Sequence, residues 1–261
     1  MATRNITKWT ISSVEKLIST INNEFLYWPG YIFRGQSQND WLLEPTLSRI
    51  LKKLKDDDKE DLIKDHFERF CLEIRGRRGA NPKSLTENEI WALGQHYGLH
   101  TPLLDWSQSP YVALFFALSR VERSSTGYRT LWAFNSADAA RFSKSYKTKK
   151  PNEPKWQVEI INPTLDENNR LINQNGLFTK LSYNSDLENF VAHGEELGWI
   201  SLYKIDFPEE LRDKLISYLS LMNINYSTLF PDLTGSSLYS NIQLEQTDFI
   251  LEQQKKESKK D

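Results

Sequence analysis

The stretch from Gly94 to Leu118, GQHYGLHTPLLDWSQSPYVALFFAL, limits what this chain can fold into more than any other. Gln95, His96 and Tyr97 read as the end of a helix, and Thr101 to Trp106 as a short buried strand. Ser107 and Ser109 follow the strand. Pro110 then opens a helix whose apolar positions are Val112, Leu114, Phe115, Phe116 and Leu118. Ser109 suits an N-cap and Pro110 the first helical turn. Upstream, Thr86 with Glu89 three residues on forms a capping-box pattern. In the helix this box begins, Ile90, Leu93 and Tyr97 share one face at helical spacing. A polar cluster between a strand end and a helix N-terminus suits ligand binding, because unpaired backbone N–H groups and the helix dipole favour anions there. Asp105, between Leu104 and Trp106, is expected to be buried and so to need partners. Taken singly, Asp105 and His96 read first as structural groups satisfied by hydrogen bonds.

A second motif lies upstream in Tyr31-Ile32-Phe33-Arg34-Gly35-Gln36. Three apolar residues lead into one arginine and a glycine. The pattern predicts a strand that delivers a guanidinium at its end and turns at Gly35. Arginine suits bidentate recognition of phosphate or carboxylate.

Taken in order, FRGQ (Phe33 to Gln36), the Gly94–Leu118 stretch, RLINQNGLF (Arg170 to Phe178) and STLFPDL (Ser227 to Leu233) resemble the FRG-domain family. Ser107 stands at the Thr-or-Ser position of that family's DW(T/S) motif. The resemblance runs over roughly residues 25 to 240. It implies an FRG domain over 25–245, with a helical lead-in at 1–24 and a charged tail at 246–261 that lacks periodicity and is expected to be disordered. A looser resemblance, to the ADP-ribosyltransferase fold, implies an α+β architecture with an ADP-ribosyltransferase-like core of short strands flanked by helices. On that resemblance Arg34 matches the first motif and would bind NAD phosphates. Ser107 matches the second and would orient the strand facing the nicotinamide ribose, with Tyr97 or a nearby tryptophan stacking on nicotinamide. Glu159, in Gln157-Val158-Glu159, matches the third as the catalytic acid, whereas the FRG family's own third motif centres on Gln174. The implied reaction transfers ADP-ribose from NAD to a macromolecule. The family resemblance also implies a defence effector or toxin acting on RNA and held silent by an antitoxin-type partner.

In the enzyme reading the candidate cofactor-binding residues are Arg34, Gln36, Gln95, His96, Tyr97 and Asp105; the competing class is a non-catalytic module in which Arg34, Gln36, Gln95 and Asp105 form a pocket for a nucleotide or nucleic acid. A third is an interaction protein that uses the same scaffold only to dock a partner. Whether Glu159 and Arg34 face one cleft separates the enzyme from the module.

Composition limits the remaining classes. Hydrophobic residues make up 39% of the 261, enough for a globular core, and a formal charge of −2 excludes a global field toward nucleic acid or membrane. The one cysteine, Cys71, excludes an intramolecular disulfide, and with no leader-like start and no long apolar run a cytoplasmic protein off the membrane is expected. Histidines 66, 96, 100 and 193 show no HExxH spacing, so no metal is expected. A GxSxG elbow is also absent, which argues against a hydrolase.

Elsewhere, residues 1–10 read as a lead-in. A helix capped by Ser12 or Ser13 carries Val14, Leu17, Ile18 and Ile21 on one face. Ile63, Phe67, Phe70 and Ile74 predict a helix ending at the basic loop Arg75 to Gly79. Between Arg141 and Lys155 six basic residues stand against one acid, with Phe142, Tyr146 and Trp156 interleaved. There Lys144, Lys147, Lys149 and Lys150 could bind RNA phosphates while the rings stack bases, or the stretch is a solvated loop.

Overall fold

Seven strands form one mixed sheet in the order β1-β7-β4-β2-β3-β6-β5. They are β1 (Ile6–Thr10), β2 (Tyr31–Gln36), β3 (Leu103–Ser107), β4 (Tyr128–Asn135), β5 (Val158–Ile161), β6 (Gly176–Leu181) and β7 (Leu202–Pro208). β1 and β7 run parallel and every other pair is antiparallel. The computed structural model describes residues 6–55, 58–149, 157–163, 169–182, 185–194 and 201–258. Helices accompany the sheet throughout, so the expected α+β class holds. They are α1 (Val14–Phe25), α2 (Thr46–Leu51), α3 (Lys59–Glu73), α4 (Glu87–His96), α5 (Pro110–Leu118), α6 (Ser136–Lys149), α7 (Asn169–Asn173), α8 (Leu187–Gly194), α9 (Arg212–Leu221), α10 (Tyr226–Leu229), α11 (Leu233–Glu245) and α12 (Thr247–Glu257).

Strand alternation sends side chains to two faces. On one face Phe33, Leu131, Ala133 and Ile205 pack against α1, α5 and α9. On the other, Ile32, Trp132, Phe134 and Leu202 pack against α6 and α8. A third cluster lies on the first face, where Leu103, Phe178 and Ile161 meet Leu47 and Leu51 of α2 and Trp91 of α4. That face therefore carries two separate cores, one over β7-β4-β2 and one over β3-β6-β5.

The helix starts follow their caps. Ser109 Oγ accepts from Val112 N at 3.3 Å, and Thr86 and Glu89 complete the capping box of α4. Helix α5 is apolar almost all round and buries Val112, Ala113, Leu114, Phe115, Ala117 and Leu118, as a helix inside the core must. Burying Leu114 or Phe115 contributes roughly 1.5–3 kcal/mol each. The helix can come this close because of Gly35. A Cβ there would lie 1.9 Å from the Ala113 carbonyl oxygen. Gly35 does not turn the chain, as its sequence context suggested. It sits within β2 opposite Leu131, and the strand continues to Gln36.

Other expectations change for similar reasons. Residues 6–10 are not a lead-in, because β1 pairs with β7 along its whole length. Helix α4 buries Trp91, Ala92 and Gly94 rather than the Ile90–Leu93–Tyr97 face; Trp91 enters the third core, and Tyr97 is 76% exposed. Arg170 to Phe178 is short helix and then strand, since Gly176 begins β6. Residues 247–257 form α12 where a disordered tail was expected. Its anchor precedes it: buried Gln246 donates to Asp213 Oδ1 at 2.9 Å and accepts from Ser217 Oγ at 3.1 Å. Among the described residues no helix is long and apolar enough to cross a membrane.

Candidate functional site: a cavity at the parting of two strands

β2 and β3 are neighbours in the sheet through one residue pair, Phe33 with Ser107. Beyond that pair they part, and a cavity of about 380 Å³ opens there, between the two cores of that face. Its size suits a small-molecule site. Among the described residues that line it, Asp105 is the one carboxylate, and Arg34, Arg120 and Arg170 are the guanidinium cations.

Arg34 spans the gap. Its Nη1 donates to the backbone oxygen of Asp105 at 2.8 Å and stands 3.5 Å from Asp105 Oδ2. Its Nε is buried and has no partner. Burial lowers its pKa from the ordinary arginine value, Asp105 acts to raise it, and Arg49 adds to the lowering; the guanidinium stays charged all the same. Arg129, in the same sheet, shows what a structural arginine looks like. It donates from Nε and Nη2 to Glu209 at 2.6 and 2.8 Å, and from Nη1 and Nη2 to the carbonyls of Ala117 and Glu122 at 2.7 and 3.1 Å. A buried donor left without a partner costs free energy, so Arg34 holds capacity that the protein itself does not use.

Asp105 is not buried as expected. Its side chain is 60% exposed, because its face of β3 looks into the parting, while Leu104 and Trp106 enter the core on the opposite face. Ser107 is buried and works structurally: its Oγ donates to Gln174 O at 2.7 Å and accepts from Ser109 N at 3.0 Å. These bonds tie the end of β3 to the segment after α7 and to the entry of α5. Gln174 Nε2 donates to Leu229 O at 3.2 Å, tying the segment after α7 to the end of α10 next to the lining residue Phe230. Gln36 accepts from Trp132 Nε1 at 2.7 Å and donates to Leu42 O at 3.3 Å. Gln95 bridges Thr101 Oγ1 and, at 3.4 Å, Leu103 O. His96 lines the cavity with a pKa lowered first by burial and then by Arg170, against a raising effect of Asp232.

Arg34, Gln36, Gln95, His96, Asp105, Ser107 and Gln174 thus meet at one cavity. Tyr97 does not line it. Nor does Glu159: β5 is the edge strand, β6 and β3 separate it from β2, and Glu159 Oε1 accepts from Asn88 Nδ2 at 2.7 Å. Phe142 and Tyr146 are no stacking platform, since both are buried against the sheet as core. Lys144 and Lys147 are exposed on α6. Lys150, Trp156 and the side chain of Lys149 lie outside the described residues.

Among the lining residues outside the expected site are Trp41, Arg120, Arg170 and Phe230. Trp41 stands 39% exposed at the cavity, with Arg120 Cζ 5.2 Å from its ring centroid. Arg170, also in the lining, lies 5.2 Å over the Phe230 ring and donates from Nε to Asp232 Oδ2 at 2.8 Å. The motif RLINQNGLF contains Arg170 and STLFPDL contains Phe230, so both were open to view as motif members. Trp41 and Arg120 carry no local pattern; only the fold brings them together.

A family model, described as the FRG domain, matches residues 29–126. The match contains FRGQ and the whole Gly94–Leu118 stretch, hence both strands that part around the cavity. Neither the curated proteins nor the solved structures give a match.

Proposed function

We propose that this FRG-domain protein binds a phosphate-bearing nucleotide in the cavity beside Arg34. The observation that carries the reading is the buried, unpartnered Nε of Arg34 at a site with two further guanidinium groups and one carboxylate. A phosphate there would accept the spare donors of Arg34, and the exposed aromatic surface of the cavity suits a ligand that is part ring and part anion. NAD is the candidate implied by the motif order. The ADP-ribosyltransferase-like core belongs to the same proposal, supported by an arginine at the parting of a sheet.

ADP-ribosyl transfer is the second reading, and one observation favours it: Asp105 brings a half-exposed carboxylate to within 3.5 Å of Arg34. Breaking the bond between nicotinamide and ribose develops oxocarbenium character, which a nearby carboxylate stabilises. Asp105 would take that role, since Glu159 stands away from the cavity. An RNA acceptor would meet Lys144 and Lys147 through phosphates alone, and an antitoxin-type partner belongs to this reading too.

Calorimetric titration with pyrophosphate and with NAD tests the proposal. Arg34→Ala, folded at the titration temperature though with a lower thermal midpoint, is expected to lose about 1.5–3 kcal/mol of binding, the contribution of a hydrogen bond to a charged group. Equal affinity in wild type and variant would remove Arg34 from the site. Release of free nicotinamide from NAD by the wild type, abolished in Asp105→Asn, would select transfer over binding alone.

A further inference from the structure

Among the described residues two tryptophans are well exposed, Trp28 at 65% and Trp41 at 39%, whereas Trp91, Trp106 and Trp132 are 2%, 3% and 0% exposed; of the two it is Trp41 that lines the cavity. Its segment is nevertheless held firmly. Leu43, two residues on, is fully buried, and Gln36 Nε2 donates to the carbonyl of Leu42 while Trp132 holds Gln36 from the other side. The ring is thus presented on a fixed stretch rather than left loose.

Arg120 completes the arrangement. Its backbone is fixed, because its carbonyl accepts from Arg212 Nε at 3.2 Å. Its guanidinium rests 5.2 Å from the Trp41 ring centroid, and among the described residues it has neither a hydrogen bond nor an ion pair. Arg170 differs, since Asp232 already occupies its Nε and Nη2. The cavity therefore offers spare guanidinium donors from Arg34 and Arg120, and an open aromatic face beside the second.

We infer that Trp41 and Arg120 form the base-binding subsite of the cavity: the aromatic base of a nucleoside diphosphate stacks on Trp41, and its diphosphate bridges Arg120 and Arg34. The inference rests on the nucleotide-binding reading above and adds which end of the ligand lies where. Stacking on an aromatic ring tolerates any base, because every base has a π-face. The subsite accordingly selects for the presence of a base, not for its identity.

ADP and inorganic pyrophosphate are the probes, since both carry a diphosphate and one carries a base. Titrated into the wild type, ADP is expected to bind about tenfold or more tighter than pyrophosphate, the magnitude of one base stack. Trp41→Ala should bring that ratio close to one, while Trp41→Phe should retain most of the ratio. Arg120→Gln should weaken both probes together and flatten their salt dependence. An unchanged ADP-to-pyrophosphate ratio in Trp41→Ala would overturn the subsite, as would a wild type that binds pyrophosphate and ADP equally; the nucleotide cavity at Arg34 would survive either result. Failure of the wild type to bind both probes would sink the nucleotide reading itself, and the subsite with it. Thermal midpoints of the variants separate loss of binding from loss of fold.

Discussion

Arg34 Nη1 stands 2.8 Å from the backbone oxygen of Asp105 and 3.5 Å from its carboxylate, across the gap where β2 and β3 part. The one contact does two things. It holds the open strands together where ladder hydrogen bonds are missing, and it leaves Nε without a partner in a residue that lines the cavity. Asp105 also sets a negative charge beside the place where a phosphate would sit. Removing that charge should favour the anion. Asp105→Asn is expected to tighten pyrophosphate binding by roughly three- to tenfold at low salt, less as salt screens the pair. Glu159→Gln, on the far edge strand, should leave the affinity unchanged. Weaker pyrophosphate binding in Asp105→Asn would mean that the carboxylate supports the anion site instead of opposing it.

Gly35 predicts a packing cost rather than a turn defect. Its added Cβ would meet the backbone of α5 at 1.9 Å from Ala113 O and 2.5 Å from Ala117 N, and backbone cannot swing aside as a side chain can. Gly35→Ala should therefore destabilise by about 1–3 kcal/mol or more, read as a lower thermal midpoint, and should weaken pyrophosphate binding because α5 and β2 both border the cavity. A midpoint equal to wild type would show that α5 does not press on β2 as described.

His96 carries the pH dependence. Its folded pKa lies below the ordinary 6.5, with burial as the first cause. Below pH 6.5 the unfolded chain takes up this proton more readily than the folded one, so stability falls as pH drops through that value and goes on falling until the folded pKa is reached. Denaturant titrations between pH 8 and 5 should give a shallower loss in His96→Gln than in the wild type. Identical pH profiles would contradict the burial of His96 against Arg170.

Much of this fold can be read from local patterns. Ser109 and Pro110, or Thr86 and Glu89, announce helix starts by chemistry confined to a few residues. The strand at Arg34 and the strand before Ser107 show through their apolar runs. What is not local stays hidden. β1 has no signature beyond five alternating residues, and its pairing partner lies at 202–206. Asp105 between two buried neighbours reads as buried unless the parting of β2 and β3 is known. Phe142 and Tyr146 look like a stacking platform among lysines until the sheet beneath them is seen. Glu159 fitted a three-letter pattern, but sheet order decides whether a strand reaches a cavity, and two strands stand between it and Arg34.

The central claim is that Arg34 keeps a donor free for a ligand phosphate, and the guanidinium resonances report this directly. In a protein with ¹⁵N-labelled arginine, the Nε–H signal missing from Arg34→Lys belongs to Arg34, and the signal of the fully bonded Arg129 serves as the internal reference. Titration with ADP should shift the Arg34 Nε–H signal to lower field as that donor gains its first partner, and leave Arg129 in place. An Arg34 signal that stays put at saturating ADP, or that moves no more than Arg129, would contradict the account.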